Sequence, residues 1–227
     1  VREIIIDTET TGLERKLDRI VEIGCVEINN LLPTGKTFHK YVNPLHPVHR
    51  DAFAVHGLSN EFLKTKPTFR RVVNQFLTFI GDARLVAHNA PFDLGMINDE
   101  LDRLDMQPLQ NEIVDTLEMA KTKRPGKRAT LDALCSAFNV DTSKRDLHGA
   151  LLDAQLLSEV YVELRGGRQY GLSLLGEDGN PAHTIDNLPA ARQRPVPLPP
   201  RLTDEERAAH AVFVQTLGGE IIWNEYR

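Results

Sequence analysis

Cysteine is scarce in this chain. Cys25 and Cys135 are the two among 227 residues, and they form no CxxC pair. A disulfide framework or a zinc site is therefore not expected, and a reducing cytoplasm fits. Long apolar runs are also missing. No stretch reaches the length that spans a bilayer, and the opening residues lack the charged-then-apolar pattern of a secretory signal. Positive charge falls short as well: 27 Lys and Arg stand against 32 Asp and Glu, a net charge of −5. Proteins that hold nucleic acid by their own affinity are usually basic, because phosphate contacts drive that binding. Either nucleic acid is not the substrate, or something else keeps the protein near it. What remains is ordinary globular composition, 41% hydrophobic and 26% charged. The length suits one well-cored domain plus an appendage, or two small domains.

The chain opens on Glu3-Ile4-Ile5-Ile6-Asp7, a short β-branched run that ends in acid and predicts a buried strand. Ile20, Val21, Ile23, Val26 and Ile28 predict a second strand over 18–29, and a looser alternation predicts a third over 36–42. Gly12 and Pro33-Thr34-Gly35 supply turn chemistry, so an antiparallel meander is expected. Helical spacing then takes over at Phe69, Val72, Val73, Phe76, Leu77 and Ile80, with Gly81 as the stop. Short strands at 85–87 and 113–114 alternate with helices at 92–104, 131–138 and 151–164. Strands first, then strands alternating with helices, predict an α/β fold: a mixed sheet with helices on its faces.

The texture breaks after Leu164. Six of the thirteen prolines fall between Pro181 and Pro200, so this stretch predicts a linker. Thr203-Asp204-Glu205-Glu206 offers a capping box that opens a helix to about Leu217. Gly218-Gly219 ends it, and the last residues hold the lone tryptophan, Trp223.

Asp7-Thr8-Glu9 carries the first chemical signal. Residues i and i+2 of a strand face one side, so both carboxylates point the same way. Two carboxylates that close repel unless a cation lies between them. Oxygen donors suit Mg²⁺ or Mn²⁺ rather than zinc. Alone, the pair reads better as a solvated turn. His88-Asn89-Ala90-Pro91-Phe92-Asp93 then puts a third acid just inside a helix, where helix capping is the plain alternative. His148-Gly149-Ala150-Leu151-Leu152-Asp153 puts a fourth acid five residues after a histidine.

Together the three segments resemble the DEDDh branch of the DnaQ-like 3′→5′ exonucleases. The family's DxETTG-like motif is matched by Asp7 to Gly12, its HNAxFD-like motif by His88 to Asp93, and its HxAxxD motif by His148 to Asp153. The resemblance implies a ribonuclease-H-like mixed β-sheet flanked by helices. It also implies two divalent ions, Mg²⁺ or Mn²⁺. Asp7, Glu9 and Asp153 would ligate the ion nearest the attacking water, Asp7 would bridge to the second, and Asp93 would complete the cluster. His148 would be the general base, a role an imidazole suits near neutral pH. The segment from Asp51 to Leu58 resembles the family loop that contacts the terminal nucleotide, which implies substrate contacts from His56 and Asp51, alongside Asp7, Glu9 and Asp153. A plain loop with a turn at Gly57 is the alternative for His56, and Phe53 either stacks on a base or packs in the loop. Lys121 to Arg128 holds five bases that either track a phosphate backbone or form a solvated loop.

Residues 2–164, including Lys127 to Cys135 and Ser143-Lys144-Arg145, resemble the proofreading subunits of bacterial replicative DNA polymerases. That resemblance implies an exonuclease domain at 1–166 acting on a DNA 3′ end. It implies a clamp-binding-like segment at 167–175, where Gln169, Leu172 and Leu174 would dock the sliding clamp. A Pro-rich linker at 176–201 would follow, reaching roughly 25–30 Å as coil. A tail at 202–227 with Trp223 would bind the polymerase alpha subunit, as aromatic anchors often do. Tethering raises effective concentration without new DNA contacts, which resolves the acidic charge. A stand-alone RNase or oligoribonuclease, and a catalytically silent scaffold, are the alternatives; the clamp-like segment and tail disfavour the first, and the full set of acids disfavours the second.

Overall fold

The computed structural model describes residues 1–143, 145, 147–167 and 202–216. The chain divides into two units, Val1–Leu172 and Ser173–Arg227. The first is built on a five-stranded sheet of order β3-β2-β1-β4-β5, with β1 Arg2–Thr10, β2 Ile20–Asn29, β3 Leu32–Tyr41, β4 Arg84–Ala87 and β5 Ile113–Asp115. The first three strands pair antiparallel, as the meander predicts, and β4 and β5 add in parallel on the far side of β1. Among the described residues seven helices accompany the sheet: α1 Arg50–His56, α2 Asn60–Lys64, α3 Phe69–Ile80, α4 Ala90–Asp102, α5 Thr116–Lys123, α6 Leu131–Phe138 and α7 Ala150–Leu164.

The isoleucine run of β1 is apolar on both sides because both sides are covered. Ile4 and Ile6 join Ile23, Phe76, Leu94 and Ile97 in one core, under α3 and α4. Ile5 points the other way, into a core with Val26, Val86, Leu157 and Tyr161 of α7. A smaller cluster joins α5, α6 and α7 through Ala120, Leu134 and Val160.

Three local expectations change. The β2–β3 turn sits at Asn30 and Leu31, with φ of 50° and 64°, rather than at Pro33-Thr34-Gly35. Two successive positive φ values match the right-handed twist of a tight hairpin. Pro33 is instead taken into β3, where the pairing with β2 shifts register between Val26 and Ile28. An outermost strand tolerates a missing N–H and a bulge. The segment around Asp51 is helical, as α1, and closes at Gly57, whose φ of 70° lets it cap the helix. The basic stretch begins inside a helix, α5, whose N-cap Asp115 accepts from the Leu117 amide.

In the second unit, α8 spans Asp204–Thr216. Its capping box forms as predicted: the Thr203 amide donates to Glu206 Oε2 at 2.8 Å and the Glu206 amide donates to Thr203 Oγ1 at 3.2 Å. No helix among the described residues is long and apolar enough to cross a membrane.

Candidate active site

Strand parity delivers the first two acids. Glu3, Ile5, Asp7 and Glu9 share the face of β1 that α7 covers, marked by the 2.8 Å hydrogen bond from Tyr161 Oη to Glu3. Asp7 and Glu9 are half-buried at the open end of that strand. Asp7 pairs across the sheet with Gly24 of β2. A Cβ on Gly24 would lie 2.2 Å from the backbone of Ala150 and Leu151. The missing side chain lets the first turn of α7 settle on the sheet beside Asp7.

That settling brings in Asp153, buried in the first turn of α7. Its carboxylate accepts from Arg145 at two points, Nε to Oδ1 at 2.6 Å and Nη2 to Oδ2 at 2.8 Å, and lies 3.1 Å from His148 Nδ1. Donor atoms of Glu9, His148 and Asp153 lie within 4.8 Å of one another. His148 itself is 45% exposed at the side chain, open to solvent. Its amide donates to Val55 O at 3.2 Å, which ties the histidine's loop to α1.

Asp93 arrives from the opposite face. Asn89 turns left-handed before α4, with φ 68°, and Pro91 fits the first helical turn. This aims Asp93 at Thr8, the one residue of the Asp7–Glu9 triplet that faces α4. Asp93 Oδ1 accepts from the Thr8 amide at 3.0 Å and from Thr8 Oγ1 at 2.7 Å.

The acids load one another. Burial, then the charges of Asp93, Glu9 and Asp153, push the Asp7 carboxyl well above the usual carboxylate range. Burial and Asp153 raise Glu9 to about 8. Burial raises Asp93 to about 7, against the opposing pull of the Thr8 hydrogen bonds. Crowded oxygen donors that hold protons for want of a counter-charge are the donor set a hard divalent cation satisfies. The residues therefore fit a divalent metal, with Asp7, Glu9, Asp153 and Asp93 as its candidate ligands.

A cleft of about 380 Å³ runs from Glu9 past Thr10, Phe92, His56 and Asp51. His56 is buried, and both ring nitrogens are engaged: Nδ1 accepts from the Leu58 amide at 3.0 Å, so Nε2 donates to Thr10 O at 3.3 Å. Its burial lowers the imidazole's affinity for a proton. Asp51 stands exposed on the rim, and Phe53 is also partly exposed, at 45%. Part of the basic stretch serves the fold: Lys121 pairs with Glu118 at 2.6 Å, Lys123 donates to Leu164 O, and Arg124 lies 5.4 Å over the Phe138 ring. His88 holds Thr116 Oγ1 at 2.9 Å and joins β4 to α5. Gln169, Leu172, Leu174 and Trp223 lie outside the described residues.

Sequence reasoning missed two partners of the acids. Thr8 was hidden inside a motif read for its carboxylates. Arg145 stands eight residues before Asp153, and only the turn into α7 folds it back.

Residues 4–161 match the exonuclease family RNase_T. The DNA polymerase III subunit epsilon of Rickettsia felis is 44% identical over 222 residues, covering 96% of this chain and 97% of that protein. Its counterpart in Escherichia coli K12 is 41% identical over 235 residues, covering 98% and 97%. Among solved structures, exonuclease X in complex with 5′ overhanging duplex DNA superposes with a TM-score of 0.60 at 24% identity, covering 79% of this chain and 97% of that one. The nuclease domain of 3′hExo, a DEDDh family member bound to rAMP, superposes with a TM-score of 0.64 at 17% identity, covering 73% and 92%. These two structural likenesses speak for the fold, and the two sequence relatives for the branch. The chain therefore belongs to the RNase_T exonuclease family and, within it, groups with the DNA polymerase III epsilon subunits.

Proposed function

We propose that this chain removes mismatched nucleotides from DNA 3′ ends as the proofreading subunit of a bacterial replicative DNA polymerase, by two-metal phosphodiester hydrolysis. One observation carries the reading. Four acids, Asp7, Glu9, Asp93 and Asp153, converge on the end of β1 with His148 beside them, in a chain alike over nearly its full length to epsilon subunits.

Asp7, Glu9 and Asp153 would hold two divalent ions, Mg²⁺ or Mn²⁺, with Asp7 shared and Asp93 completing the set. When bound, such ions supply an activated water and neutralise charge on the leaving oxygen. His148 takes the proton from the attacking water. It is half-exposed, so it can reach a solvent-derived nucleophile, and Asp153 beside it stabilises the imidazolium that results. Thr8 holds Asp93 toward the cluster through two hydrogen bonds. His56 braces the cleft wall by joining α1 to the end of β1, and Asp51 meets the 3′-terminal nucleotide at the rim. Phe92 gives the cleft an apolar wall against which a base can lie.

The acidic chain reaches DNA through partners. The relatives are named as subunits of DNA polymerase III, and that assignment is carried over here. The alpha subunit is met by 202–227, where α8 buries none of its described residues and leaves Val212 and Phe213 exposed. The sliding clamp is met by Gln169, Leu172 and Leu174. The site of action is the cytoplasm.

Matched 3′-mismatched duplex DNA, single-stranded DNA and short RNA, each with Mg²⁺, test the reading against an Asp7→Ala control. Faster removal of the mismatched DNA end is expected, with at least a hundredfold loss in the control. Preference for short RNA would make the chain an oligoribonuclease, and an active Asp7→Ala would end the mechanism. Deleting 176–227 should abolish polymerase binding; undiminished binding would remove the tether.

A further inference from the structure

A shortage of cysteine argues against a thiolate metal centre but says nothing of one built from imidazole and carboxylate. Asp18, His46 and His49 place one donor atom each within 4.8 Å of one another, and share no residue with the Glu9, His148 and Asp153 group. We propose that these three residues form a second metal site, selective for a transition-metal ion of the Zn²⁺ type, with a fourth position open to solvent. It shares no ligand with the acidic cluster.

Asp18 is the anchor. It is 1% exposed, yet among the described residues the one basic side chain within ion-pair reach of its carboxylate is the His49 imidazole, at 3.5 Å. A buried carboxylate is almost never left without a paired charge or a metal. It is already oriented: Oδ1 accepts from Thr11 Oγ1 at 2.7 Å and Oδ2 from the Glu14 amide at 2.8 Å. A carboxylate offers about four lone-pair sites, so capacity remains for an ion. Supporting hydrogen bonds of this kind are what fix metal-binding carboxylates.

The histidines are set for the same point. The His49 amide donates to Thr11 O at 2.9 Å, which pins this residue to the loop that carries Asp18. The 3.5 Å from His49 Nε2 to Asp18 Oδ1 is long for a hydrogen bond. It is close to the edge of a tetrahedron whose arms are zinc–ligand bonds, roughly 3.3–3.4 Å. His46 Nδ1 lies 3.0 Å from Pro47 O and must donate to it, because a carbonyl only accepts. That fixes the tautomer and leaves the Nε2 lone pair for a metal, the usual arrangement of a ligating histidine.

Nearby bases do not block a cation. Lys16, Arg19 and Arg103 line the same hollow, but Lys16 pairs with Asp99 at 3.1 Å, and Arg19 and Arg103 pair with Glu100 at 2.5 and 3.3 Å. Glu14 adds a carboxylate to the hollow. Two nitrogens and one oxygen favour Zn²⁺, Co²⁺ or Ni²⁺ over Mg²⁺. A bound ion would fasten the loop of His46 and His49 to that of Asp18, and Asp18 and His49 also line the cleft that holds Glu9.

Co²⁺ is the probe, because its visible absorption reports tetrahedral nitrogen and oxygen ligands directly. Full-length protein carrying Asp7→Ala and Asp153→Ala, stripped by chelation, removes the acidic cluster as a competing site. It should take up one equivalent of Co²⁺ with visible bands that Zn²⁺ abolishes and millimolar Mg²⁺ does not. Adding His46→Ala and His49→Ala should weaken uptake at least tenfold. His49 is exposed and His46 only half-buried, so circular dichroism should stay unchanged. Absence of Co²⁺ uptake in the cluster-deficient protein, or undiminished uptake without the histidines, overturns the site.

Discussion

Arg145 grips Asp153 with two parallel hydrogen bonds, 2.6 and 2.8 Å long, and its side chain is 9% exposed. Arginine forks match carboxylates in this paired geometry and hold them firmly. Nη2 also lies 2.7 Å from His148 Nδ1, so one guanidinium meets both residues of the third motif.

A cation at the Asp153 carboxylate and a metal ion compete for the same oxygens. Arg145→Ala should therefore raise Mn²⁺ affinity several-fold, read by calorimetry or electron paramagnetic resonance. The metal-free variant should also lose on the order of 3 kcal/mol of stability, because Asp153 is left buried and poorly compensated. Unchanged Mn²⁺ affinity would mean that Arg145 does not contest the site.

The acidic cluster makes the metal-free protein sensitive to alkali. The folded protein holds Glu9 at about 8 and Asp93 at about 7, both above their unfolded values. A carboxyl raised on folding contributes stability below its unfolded pKa, and the contribution is lost as pH rises through the folded value. Chelated protein should thus lose melting temperature between about pH 4 and 8, and Mg²⁺ or Mn²⁺ should restore it. Metal uptake near pH 7 should release protons, seen as a buffer-dependent binding enthalpy. A heat independent of the buffer would contradict these protonation states.

Glu27 behaves in the opposite sense. The Arg2 hydrogen bond at 2.5 Å, with help from Thr34 and Lys36 against the opposing effect of burial, holds its carboxyl down at about 2. A carboxyl lowered on folding stabilises above its unfolded pKa and loses that contribution as pH falls toward the folded one. Arg2 and Lys36 are 36% and 71% exposed, so solvent screening discounts the contribution to about 1 kcal/mol. Glu27→Gln should show that loss at pH 7 and only a small remnant of it at pH 2 in denaturant titrations. Equal losses at both would assign the effect to packing.

Gly24 is a steric requirement of the site. Gly24→Val would drive side-chain carbon into the α7 backbone at a point 2.2 Å from where its Cβ must lie. Backbone cannot yield as a side-chain tip can, so a loss of about 3 kcal/mol or more is expected. Activity should fall with it, because the shift moves Asp153 away from Asp7. Gly81→Ala serves as the contrast, since the nearest atom to its Cβ is the tip of Arg2 at 3.6 Å, although its φ of 52° adds local strain. Its activity should survive; equal loss in both would show that the damage is not specific to the site.

The sequence by itself determined the strand that carries Asp7 and Glu9, since a β-branched run with period-two acids has one sensible reading. It also determined the helical turns that carry Asp93 and Asp153 and the capping box of α8, because those signals are local. The hairpin turn escaped it: Pro33 and Gly35 are stronger turn formers than Asn30 and Leu31, and only pairing along the edge strand decided between them. Tertiary structure alone decided that Thr8 clasps Asp93 across 85 residues. It alone turned Gly24 from a gap in a strand into the seat of α7, and brought His49 against Asp18. Local order follows from backbone preference and periodicity, which neighbouring residues encode. Contacts between distant segments follow from how buried faces stack, and that becomes fixed only when the sheet and helices close on one another.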